Sequence, residues 1–366
     1  KILFYTNIPS PYRVDFFNEL GKHCDLTVVF ETATSTERDD AWKEFEFKNF
    51  KGIILKGIRT SVDAAFCPGI IKYLKKNTYD YIVVTQISSL TAIWAVAYMR
   101  MRKIMYCYEG DGGFVRNTKG IKALLKRFII KKARICFSTS EEFDKYCIAY
   151  GAEKDKICRY PFTSVKSSDI LERPLSQAEK RKYKDKLGMN EETIIISVGQ
   201  FIQRKGYDLL LEACQSLDNN IGIYIIGGKP TEEYLQMKQQ WNLQNVHFVD
   251  FINKEKLAVY YQAADIFVLP TREDIWGLVI NEAMSYALPV ITTNRCIAGL
   301  ELIKNGKNGF IVKTDDVNDL TQKILDMIHS EKLQRTCAKG ALKIIENYTI
   351  ENMAKVHIEI FKKETR

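Results

Sequence analysis

The fold of this chain can be read outward from residues 266–284, IFVLPTREDIWGLVINEAM. The stretch opens with an apolar run of strand length and closes on a half-apolar segment with helical composition. The turn between them holds Glu273, Asp274 and a Trp-Gly pair. Acids favour a helix N-terminus, which explains these two acids but not Glu282, which lies further along the helix among apolar neighbours. The stretch therefore predicts a strand, a turn and a helix whose acids have a further role.

Similar alternations of strand and helix run through both halves of the chain. The predicted strands are near-continuous apolar runs, which favour parallel sheets covered on both faces. They are Ile2–Tyr5, Leu26–Phe30, Tyr81–Thr85, Ile104–Tyr108, Ile135–Phe137 and Ile157–Arg159 in the first half, and Ile194–Val198, Ile223–Ile226, Val246–Val249, Ile266–Leu269, Val290–Thr292 and Phe310–Val312 in the second. We predict an α/β protein of two Rossmann-like, doubly wound domains that face each other across a ligand-binding cleft.

The length of 366 residues also favours two domains, because it exceeds what one hydrophobic core usually serves. The polar segment Ser164–Asn190 loses the strand period, so we place the linker there. The predicted domains are residues 1–163 with a C-terminal helix at 346–366, and residues 164–345.

Composition indicates a globular protein without a membrane span. Apolar residues make up 46% of the chain and charged residues 27%, and no apolar run approaches the roughly 18 residues that a span needs. The nine cysteines are scattered, with no C-x-x-C pair, so reduced thiols explain them better than disulfides or zinc. The N-terminal KILFYTN reads as a strand rather than a signal peptide. We expect a cytoplasmic protein.

The positive charge lies in the first half of the chain. Residues 1–163 hold 27 Lys and Arg against 18 Asp and Glu, a net charge of +9, which equals that of the whole chain. Within this half, Lys119–Arg134 carries seven basic residues and no acid. Such a block attracts nucleic acid or phospholipid. Nucleic-acid binding favours aromatic residues between the cations, and Phe128 is the only one here, so we expect no nucleic acid.

Two strand-to-helix turns of the second half have the composition of ligand sites. In one, Gly199 ends a strand, and Arg204 and Lys205 precede an amphipathic helix, an arrangement suited to an anion. In the next, Gly227 and Gly228 let a ligand approach the backbone closely. A polar loop with an exposed basic pair, and an ordinary strand–glycine turn, are the plain alternatives.

Taken together, these turns resemble those of family-four glycosyltransferases of the GT-B fold. The resemblance rests on the order and spacing of SVGQFIQRKGYDLLLEA, IIGGK, NVHFVDFINKEKLAVYYQAADIFVLPTRED, WGLVINEAMSYALPVITT and GKNGFIV in the second half. It extends more loosely through NIPSPYRVDFFNEL and STSEEFDKYCIAYGA in the first. It implies a retaining glycosyltransferase that binds a nucleotide sugar on its C-terminal domain and the acceptor on its N-terminal domain.

The resemblance also gives the acids a role. Two acids eight positions apart frame the nucleotide sugar in this family, and here those positions are Asp274 and Glu282. Glu282 is expected to accept the ribose hydroxyls, and Asp274 to face the sugar, with Glu273 as an alternative because Asp274 stands where Glu is usual. The backbone N–H groups of Gly277 and Leu278 are expected to meet the diphosphate.

The cations are expected to stabilise the departing diphosphate. Lys205 matches the family lysine, whereas Gln200 replaces the usual arginine, a charge that Arg204 can supply. No D-x-D motif occurs, and we expect no metal and no cofactor beyond the nucleotide diphosphate sugar as co-substrate. The remaining donor-binding residues are expected to be Gly199, Gln200, Gly228, Lys229, Glu273 and Trp276.

The acceptor side is predicted from the first half. Many family members carry a histidine after the fourth strand; here CYEGDGG offers Glu109 and Asp111, and none of the four histidines falls there. Glu109 is expected to orient the sugar or relay the acceptor proton, unless these acids merely close a turn. Ser10, Tyr12 and Arg13, after the first strand, are expected to line the acceptor side, with packing as the alternative for Tyr12. His247 and His357 lie in apolar contexts and are expected to be structural.

The basic block is predicted to be an interfacial helix that binds an anionic membrane surface, at the inner face of the membrane. Its apolar residues recur at helical spacing and cations flank them; they are Ile121, Leu124, Leu125, Phe128 and Ile129, with Lys122, Lys126, Arg127 and Lys131 as the principal cations. A helix that packs this stripe on the sheet is the alternative.

We therefore expect a hexosyltransferase that uses a nucleotide sugar, UDP by preference, and a saccharide acceptor of the lipid-linked type, in cell-surface polysaccharide or glycan synthesis. A nucleotide-sugar epimerase of the same fold and a nonenzymatic sugar-binding subunit are the alternatives.

Overall fold

The structure, a computed structural model, describes residues 1–33, 46–61, 64–116 and 119–364. The chain forms two compact units, one comprising the residues up to Ser164 together with the segment that starts at Thr349, the other Val165–Tyr348. Each unit is built on a parallel sheet with helices in its crossovers. The predicted fold class, two Rossmann-like α/β domains, is confirmed.

The first unit contains a seven-stranded sheet in the order β3-β2-β1-β6-β7-β8-β9, with every neighbouring pair parallel. A separate two-stranded sheet joins β4 to β5. The elements are β1 Ile2–Thr6, α1 Pro11–Leu20, β2 Leu26–Phe30, β3 Lys51–Ile54, β4 Ile58–Ser61, β5 Ala64–Phe66, β6 Tyr81–Val84, α2 Leu90–Met101, β7 Cys107–Glu109, α3 Ile121–Ile130, β8 Cys136–Ser138, α4 Glu141–Ala149 and β9 Ile157–Arg159.

The second unit contains a six-stranded parallel sheet in the order β12-β11-β10-β13-β14-β15. Its elements are α5 Gln177–Leu187, β10 Thr193–Val198, α6 Tyr207–Cys214, β11 Ile221–Ile226, α7 Glu232–Gln240, β12 Val246–Val249, α8 Lys254–Ala263, β13 Ile266–Leu269, α9 Leu278–Ser285, β14 Val290–Thr293, α10 Ile297–Leu302, β15 Gly309–Val312, α11 Val317–Ile328 and α12 Glu331–Ile345. The chain then returns to the first unit as α13, Ile350–Glu364.

The strand order reverses once in each sheet, and a ligand site is expected at each reversal. In the second unit the chain runs outward from β10 to β12 and then returns to β13, which pairs with β10 on its other side. In the first unit the reversal lies between β1 and β6. Open α/β sheets bind ligands at the carboxyl ends of the two strands that flank such a reversal.

All twelve predicted strands are present, with small shifts at their ends. The largest shift is at β7, which starts at Cys107 rather than Ile104, because Lys103 turns the chain with φ of 55° and the Ile104 N–H still bonds to the α2 carbonyl of Met99. The prediction missed β3, β4 and β5. Strands β3 and β4 are largely exposed and lack a continuous apolar run, which is the signal that identified the others.

The predicted linker at Ser164–Asn190 is wrong over much of its length. Its residues from Gln177 to Leu187 form α5, which packs against α8 of the second unit. Ser176 caps the helix, and its hydroxyl accepts from the backbone N–H of Glu179. The helix was missed because its packing face is ionic rather than apolar: Lys184, only 3% exposed, lies 2.9 Å from the equally buried Asp265.

We expect Asp265→Ala to destabilise the second unit by about 3–5 kcal/mol, because it leaves the Lys184 ammonium buried without its carboxylate. Asp265 also accepts hydrogen bonds from Lys180 and from the backbone N–H of Ile194, which ties α5 to β10. Urea unfolding followed by circular dichroism measures the loss.

Asp185→Ala is the matched control, because Asp185 lies on the same helix and pairs with Arg181 at the exposed surface. That substitution should change the free energy of unfolding by no more than about 0.5 kcal/mol. Equal losses in the two variants would show that the buried pair does not hold α5 on the second unit.

Candidate active site

Two turns meet at the strand-order reversal of the second unit. β10 and β13 are neighbours, with Ile195 opposite Ile266, so the turns that follow them lie side by side at the carboxyl edge. Gly206 lies where they touch: its φ is 70°, and a Cβ at this position would lie 2.1 Å from the carbonyl oxygen of Pro270. Only glycine permits this close approach, which brings the basic turn against the acidic one.

The approach of these turns forms an ion pair between predicted site residues. Lys205 Nζ lies 2.6 Å from Asp274 Oδ2, and both side chains are nearly buried. Arg204 lies beside them: its Nη1 is 3.7 Å from Asp274 Oδ1 and donates to the carbonyl oxygen of Glu273 at 2.6 Å. The structure therefore brings both predicted cations to the predicted sugar-facing acid.

The neighbouring acid, Glu273, has a different partner. Its Oε2 lies 2.6 Å from Nη2 of Arg295, which follows β14. The backbone of Asp274 is bonded to the same segment: its N–H donates to the carbonyl of Arg295, and its carbonyl accepts from the N–H of Ile297. This geometry fixes Asp274 toward Lys205 and directs Glu273 toward Arg295, so Asp274 is the better placed of the two alternatives.

The side chain of Trp276 is buried, and its position argues against the predicted direct role in donor binding. Its indole N–H donates to Asn281 Oδ1 at 2.8 Å, and its carbonyl accepts from the N–H of Ala298. The indole packs the acidic turn onto α9 rather than presenting a surface to a ligand. The backbone N–H groups of Gly277 and Leu278 follow directly, at the N-terminus of α9.

Glu282 lies on α9 and is half-buried. Its Oε2 accepts from the hydroxyl of Tyr261 at 3.3 Å, and Tyr261 stacks on Tyr286 with ring centroids 5.2 Å apart. Burial first, and then the charge of Glu282, raise the pKa of Tyr261 well above its ordinary value, so this tyrosine stays a donor. A helical position and an aromatic support give Glu282 a rigid setting, as ribose binding would require.

The other predicted donor-binding residues lie in the turns after β10 and β11. A Cβ at Gly227 would lie 2.2 Å from the carbonyl oxygen of Gly199, so these turns also pack closely. Gln200 and Lys229 are exposed, while Gly199 and Gly228 are half-buried. They therefore line the same carboxyl edge as Lys205.

The first unit holds a second cluster of predicted residues, at the carboxyl ends of β1 and β7. Arg13 on α1 bonds through Nη1 to Glu109 Oε1 and through Nη2 to Asp111 Oδ1. The Tyr12 hydroxyl donates to Asp111 Oδ2 at 3.3 Å. The structure thus joins the "PSPYR" turn and the "EGD" turn through one guanidinium group.

The two acids of this cluster differ in burial, which corrects the role expected of Glu109. Glu109 is fully buried and cannot face a sugar or acceptor directly, whereas the Asp111 side chain is 32% exposed. Ser10 and Arg13 are buried as well. Of the acceptor-side residues, Asp111 and the half-buried Tyr12 are therefore those that a ligand can reach.

The protonation states follow from these contacts. Burial would raise the pKa of Glu109, but Arg13 and His357 outweigh it and lower this pKa to about 2. Burial, aided by the charge of Glu109, instead raises the pKa of Asp111, against the opposing effect of Arg13. Glu109 is accordingly a permanent carboxylate at neutral pH.

His357, expected to be structural, is bonded to Glu109. Its Nε2 lies 3.2 Å from Glu109 Oε2, and its ring stacks on Phe137. This contact could not be predicted from the sequence, because 248 positions separate the two residues. The spacing of apolar residues in α13 indicates that the helix packs against the rest of the unit. It does not indicate which residue His357 contacts.

The surface of α3 differs in part from the predicted stripe. Ile121 and Leu124 are 75% and 66% exposed, whereas Ile129, expected to widen the stripe, is buried with Ile130 against the sheet. Lys122, Arg127 and Lys131 are exposed, and Lys126 lies about 5 Å from the ring centroids of two tyrosines, Tyr146 and Tyr150. The helix therefore packs through its C-terminal end and exposes apolar residues near its start.

A groove beside α3 collects further positive charge. It has a volume of about 260 Å³ and is lined by four cations and two apolar residues: Arg100, Leu124, Arg127, Phe128, Lys131 and Lys132. Arg100 is held in place, since its Nη1 donates to the carbonyl of Phe128 at 3.1 Å and its guanidinium lies over that ring. Within the described ranges, none of the helices is long and apolar enough to cross a membrane.

Metal ligands do not gather in the part of the chain that the structure describes. No group of three or more His, Cys, Asp or Glu side chains there is arranged to hold a metal ion. The nine cysteines are free thiols, and seven of them are buried.

Part of the chain matches a known protein family, and relatives match most of it. Residues 179–344 match the family described as "Glycosyl transferases group 1". An uncharacterised 41.2 kDa protein of the cps region of Klebsiella pneumoniae is 27% identical over 307 residues, which is 80% of this chain and 81% of that protein. The N,N'-diacetylbacillosaminyl-diphospho-undecaprenol alpha-1,3-N-acetylgalactosaminyltransferase of Campylobacter jejuni is 23% identical over 308 residues, 80% of each chain.

Solved structures show the same fold. HepE of Anabaena in complex with UDP superposes with a TM-score of 0.81 at 16% identity, over 99% of this chain and 100% of that one. The chain has the GT-B fold, and its residues 179–344 are similar to the group 1 glycosyltransferases, which supports glycosyltransferase activity.

Proposed function

We propose that this protein transfers a hexose from a nucleoside diphosphate sugar, with UDP as the nucleotide, to a saccharide acceptor with retention of configuration. The observation that carries the proposal is the placement of Lys205 and Arg204 beside Asp274 at the strand-order reversal of the second unit. The complex of HepE with UDP supports the choice of nucleotide.

In the proposed reaction the two cations stabilise the leaving group. The bond from the anomeric carbon to the β-phosphate oxygen breaks, and its electron pair leaves with the nucleoside diphosphate. The acceptor oxygen attacks from the same face, and its proton passes to the departing phosphate oxygen. Negative charge therefore grows on the diphosphate, where Lys205, Arg204 and the N-terminus of α9 counter it. The transfer then needs no divalent metal.

The ion pair of Lys205 with Asp274 also suggests how the donor is received. A diphosphate would compete with the Asp274 carboxylate for the Lys205 ammonium. Asp274 would then be available to accept hydrogen bonds from the sugar hydroxyls. Glu282, held by Tyr261, would accept the ribose hydroxyls on a separate element.

A lipid-linked acceptor and a role in surface polysaccharide synthesis are supported by the relatives. The Campylobacter jejuni protein is named for a diphospho-undecaprenol acceptor, and the Klebsiella pneumoniae protein belongs to a cps region. We propose that α3 binds the anionic inner face of the cytoplasmic membrane through Ile121, Leu124 and the surrounding cations. An epimerase of free nucleotide sugars would not need a membrane-binding surface. A nonenzymatic subunit would not need the Lys205–Asp274 ion pair.

Lys205→Ala should lower kcat by about 100-fold to 1,000-fold, because it removes one preorganised charge from the leaving group. The substitution also leaves Asp274 without its nearest cation, so folding must be checked by thermal unfolding. The measurement is single-turnover transfer from a radiolabelled sugar nucleotide.

Lys256→Ala is the control, because Lys256 is exposed on α8 and should leave kcat unchanged. The double variant Lys205→Ala with Asp274→Asn removes the unpaired carboxylate and separates stability from catalysis. A stable double variant with near-normal kcat would rule out the leaving-group role of Lys205.

Glu282→Gln should weaken UDP binding, since an amide presents one acceptor oxygen where the carboxylate presents two. Asp274→Asn should lower turnover more than UDP affinity, because Asp274 is assigned to the sugar. Thermal shift measures the affinity: UDP at 100 times its Kd adds about 2.7 kcal/mol to the stability of the wild-type protein.

Two results would contradict this division between the acids. If no nucleoside diphosphate shifts the melting temperature of the wild-type protein, the donor site itself is misassigned. If both variants lose UDP affinity equally, the separate roles for sugar and ribose are wrong.

Charge reversal of Lys122, Lys126, Arg127 and Lys131 to Glu should abolish sedimentation with vesicles that contain phosphatidylglycerol. Each cation near an anionic surface contributes about 1 kcal/mol to binding, and added salt should weaken binding of the wild-type protein.

The matched control reverses four exposed lysines of the second unit, Lys256, Lys332, Lys339 and Lys343. Its change in net charge is the same, and its binding should persist. Equal binding of the wild-type protein to neutral vesicles, or equal losses in both quadruple variants, would leave α3 as an ordinary packed helix.

A further inference from the structure

The C-terminal helix places a histidine in the buried charge cluster of the first unit. His357 on α13 is fully buried, and its ring lies parallel to that of Phe137 at 4.9 Å between centroids. The ring of Tyr160 packs against it edge-on at 4.5 Å. Aromatic packing on two sides fixes the plane of the imidazole, and therefore the direction of both ring nitrogens.

Both nitrogens face groups that only accept hydrogen bonds. Nδ1 lies 2.8 Å from the carbonyl oxygen of Met353, one helical turn earlier, so Nδ1 must carry a proton. Nε2 lies 3.2 Å from Glu109 Oε2. Arg13 holds the other Glu109 oxygen, and the lowered pKa keeps this carboxyl ionised. An ionised carboxylate has no proton to give, so Nε2 must carry one as well.

We infer that His357 is an imidazolium cation and a positioning residue for Asp111, the acid that meets the acceptor. The acceptor part of this inference rests on the proposed function, whereas the charge state does not. His357 bonds to Glu109, and Glu109 and Asp111 both bond to Arg13. Through these contacts His357 helps to hold Asp111 at the surface of the unit.

The charge balance of the cluster supports the second cation. Glu109 and Asp111 are two carboxylates on one guanidinium group, so when both are ionised the cluster has a net negative charge unless another cation is present, and its Glu109 end is fully buried. Protonated His357 makes the cluster neutral. Two tyrosines that face the cluster stay neutral: burial raises the pKa of Tyr12 to about 12, and it raises that of Tyr160 well above its ordinary value.

The ring charge can be observed directly by nitrogen NMR of histidine-labelled protein. The chain has only four histidines, and the other three, His23, His247 and His329, are partly or largely exposed. Because both of its ring nitrogens face acceptors, His357 should show two protonated ring nitrogens at pH 8. Its signal is assigned by its loss in His357→Gln, or by elimination with glutamine variants of the other three.

A neutral His357 ring at pH 8, with one protonated nitrogen, overturns the charge state regardless of activity. This result is independent of whether the protein transfers sugar, so it distinguishes failure of this inference from failure of the proposed function.

The positioning role is tested by acceptor kinetics. His357→Phe keeps an aromatic ring and removes both donors, and it should raise the KM for acceptor about tenfold or more, while the KM for donor stays unchanged. His357→Gln keeps one N–H donor toward Glu109 and should give a smaller rise. His247→Gln, a histidine paired with Glu191 in the second unit, is the matched control.

An unchanged acceptor KM in a folded His357→Phe variant, even with a lower melting temperature, would restrict His357 to a packing role. Equal rises in the KM values for donor and acceptor would also overturn the positioning role.

Discussion

The ion pair between Lys205 and Asp274 is the interaction on which the arrangement of the second unit depends. Its members follow different strands, 69 positions apart in sequence, and both side chains are nearly buried. A charge in such a place is stable only with a partner. In the proposed function, the diphosphate replaces the carboxylate beside Lys205 while Asp274 turns to the sugar. Donor binding is then an exchange of partners for Lys205, so its ammonium is never left buried without an anion.

In the first unit, buried charges are also stabilised by partners, and more charged groups take part. Arg13 bonds to two carboxylates, and the fully buried one, Glu109, also meets His357. Because His357 comes from α13, the acid pair is complete only after the C-terminal segment has packed against α1 and the sheet. The last helix of the chain therefore contributes electrostatics as well as apolar contacts to the unit where the acceptor is expected to bind.

The sequence predicted those parts of the molecule whose signal is local. Apolar runs located the buried strands, and the turn compositions pointed to Lys205 and Asp274, whose turns meet at one sheet edge. Elements held by other means were missed: β3 and β4 are exposed, and α5 docks through Lys184 and Asp265 rather than an apolar stripe. Side-chain burial was the least predictable property. Glu109 and Asp111 lie two positions apart, yet one is enclosed and the other is reachable.

The departures from the family pattern are compensated in space rather than in sequence. In the proposed function, Gln200 leaves the turn after β10 without its usual cation, and Arg204 of the same turn would supply one, since it bonds to the carbonyl of Glu273 beside Asp274. The shorter arm of Asp274 still reaches Lys205 at 2.6 Å, because Gly206 lets the two turns touch. In the first unit, no histidine follows β7, and His357 reaches that strand from α13. In the proposed function, Arg204 and His357 thus provide charges that the family pattern places at other positions, because a buried site constrains the sum of its charges more tightly than the positions that supply them.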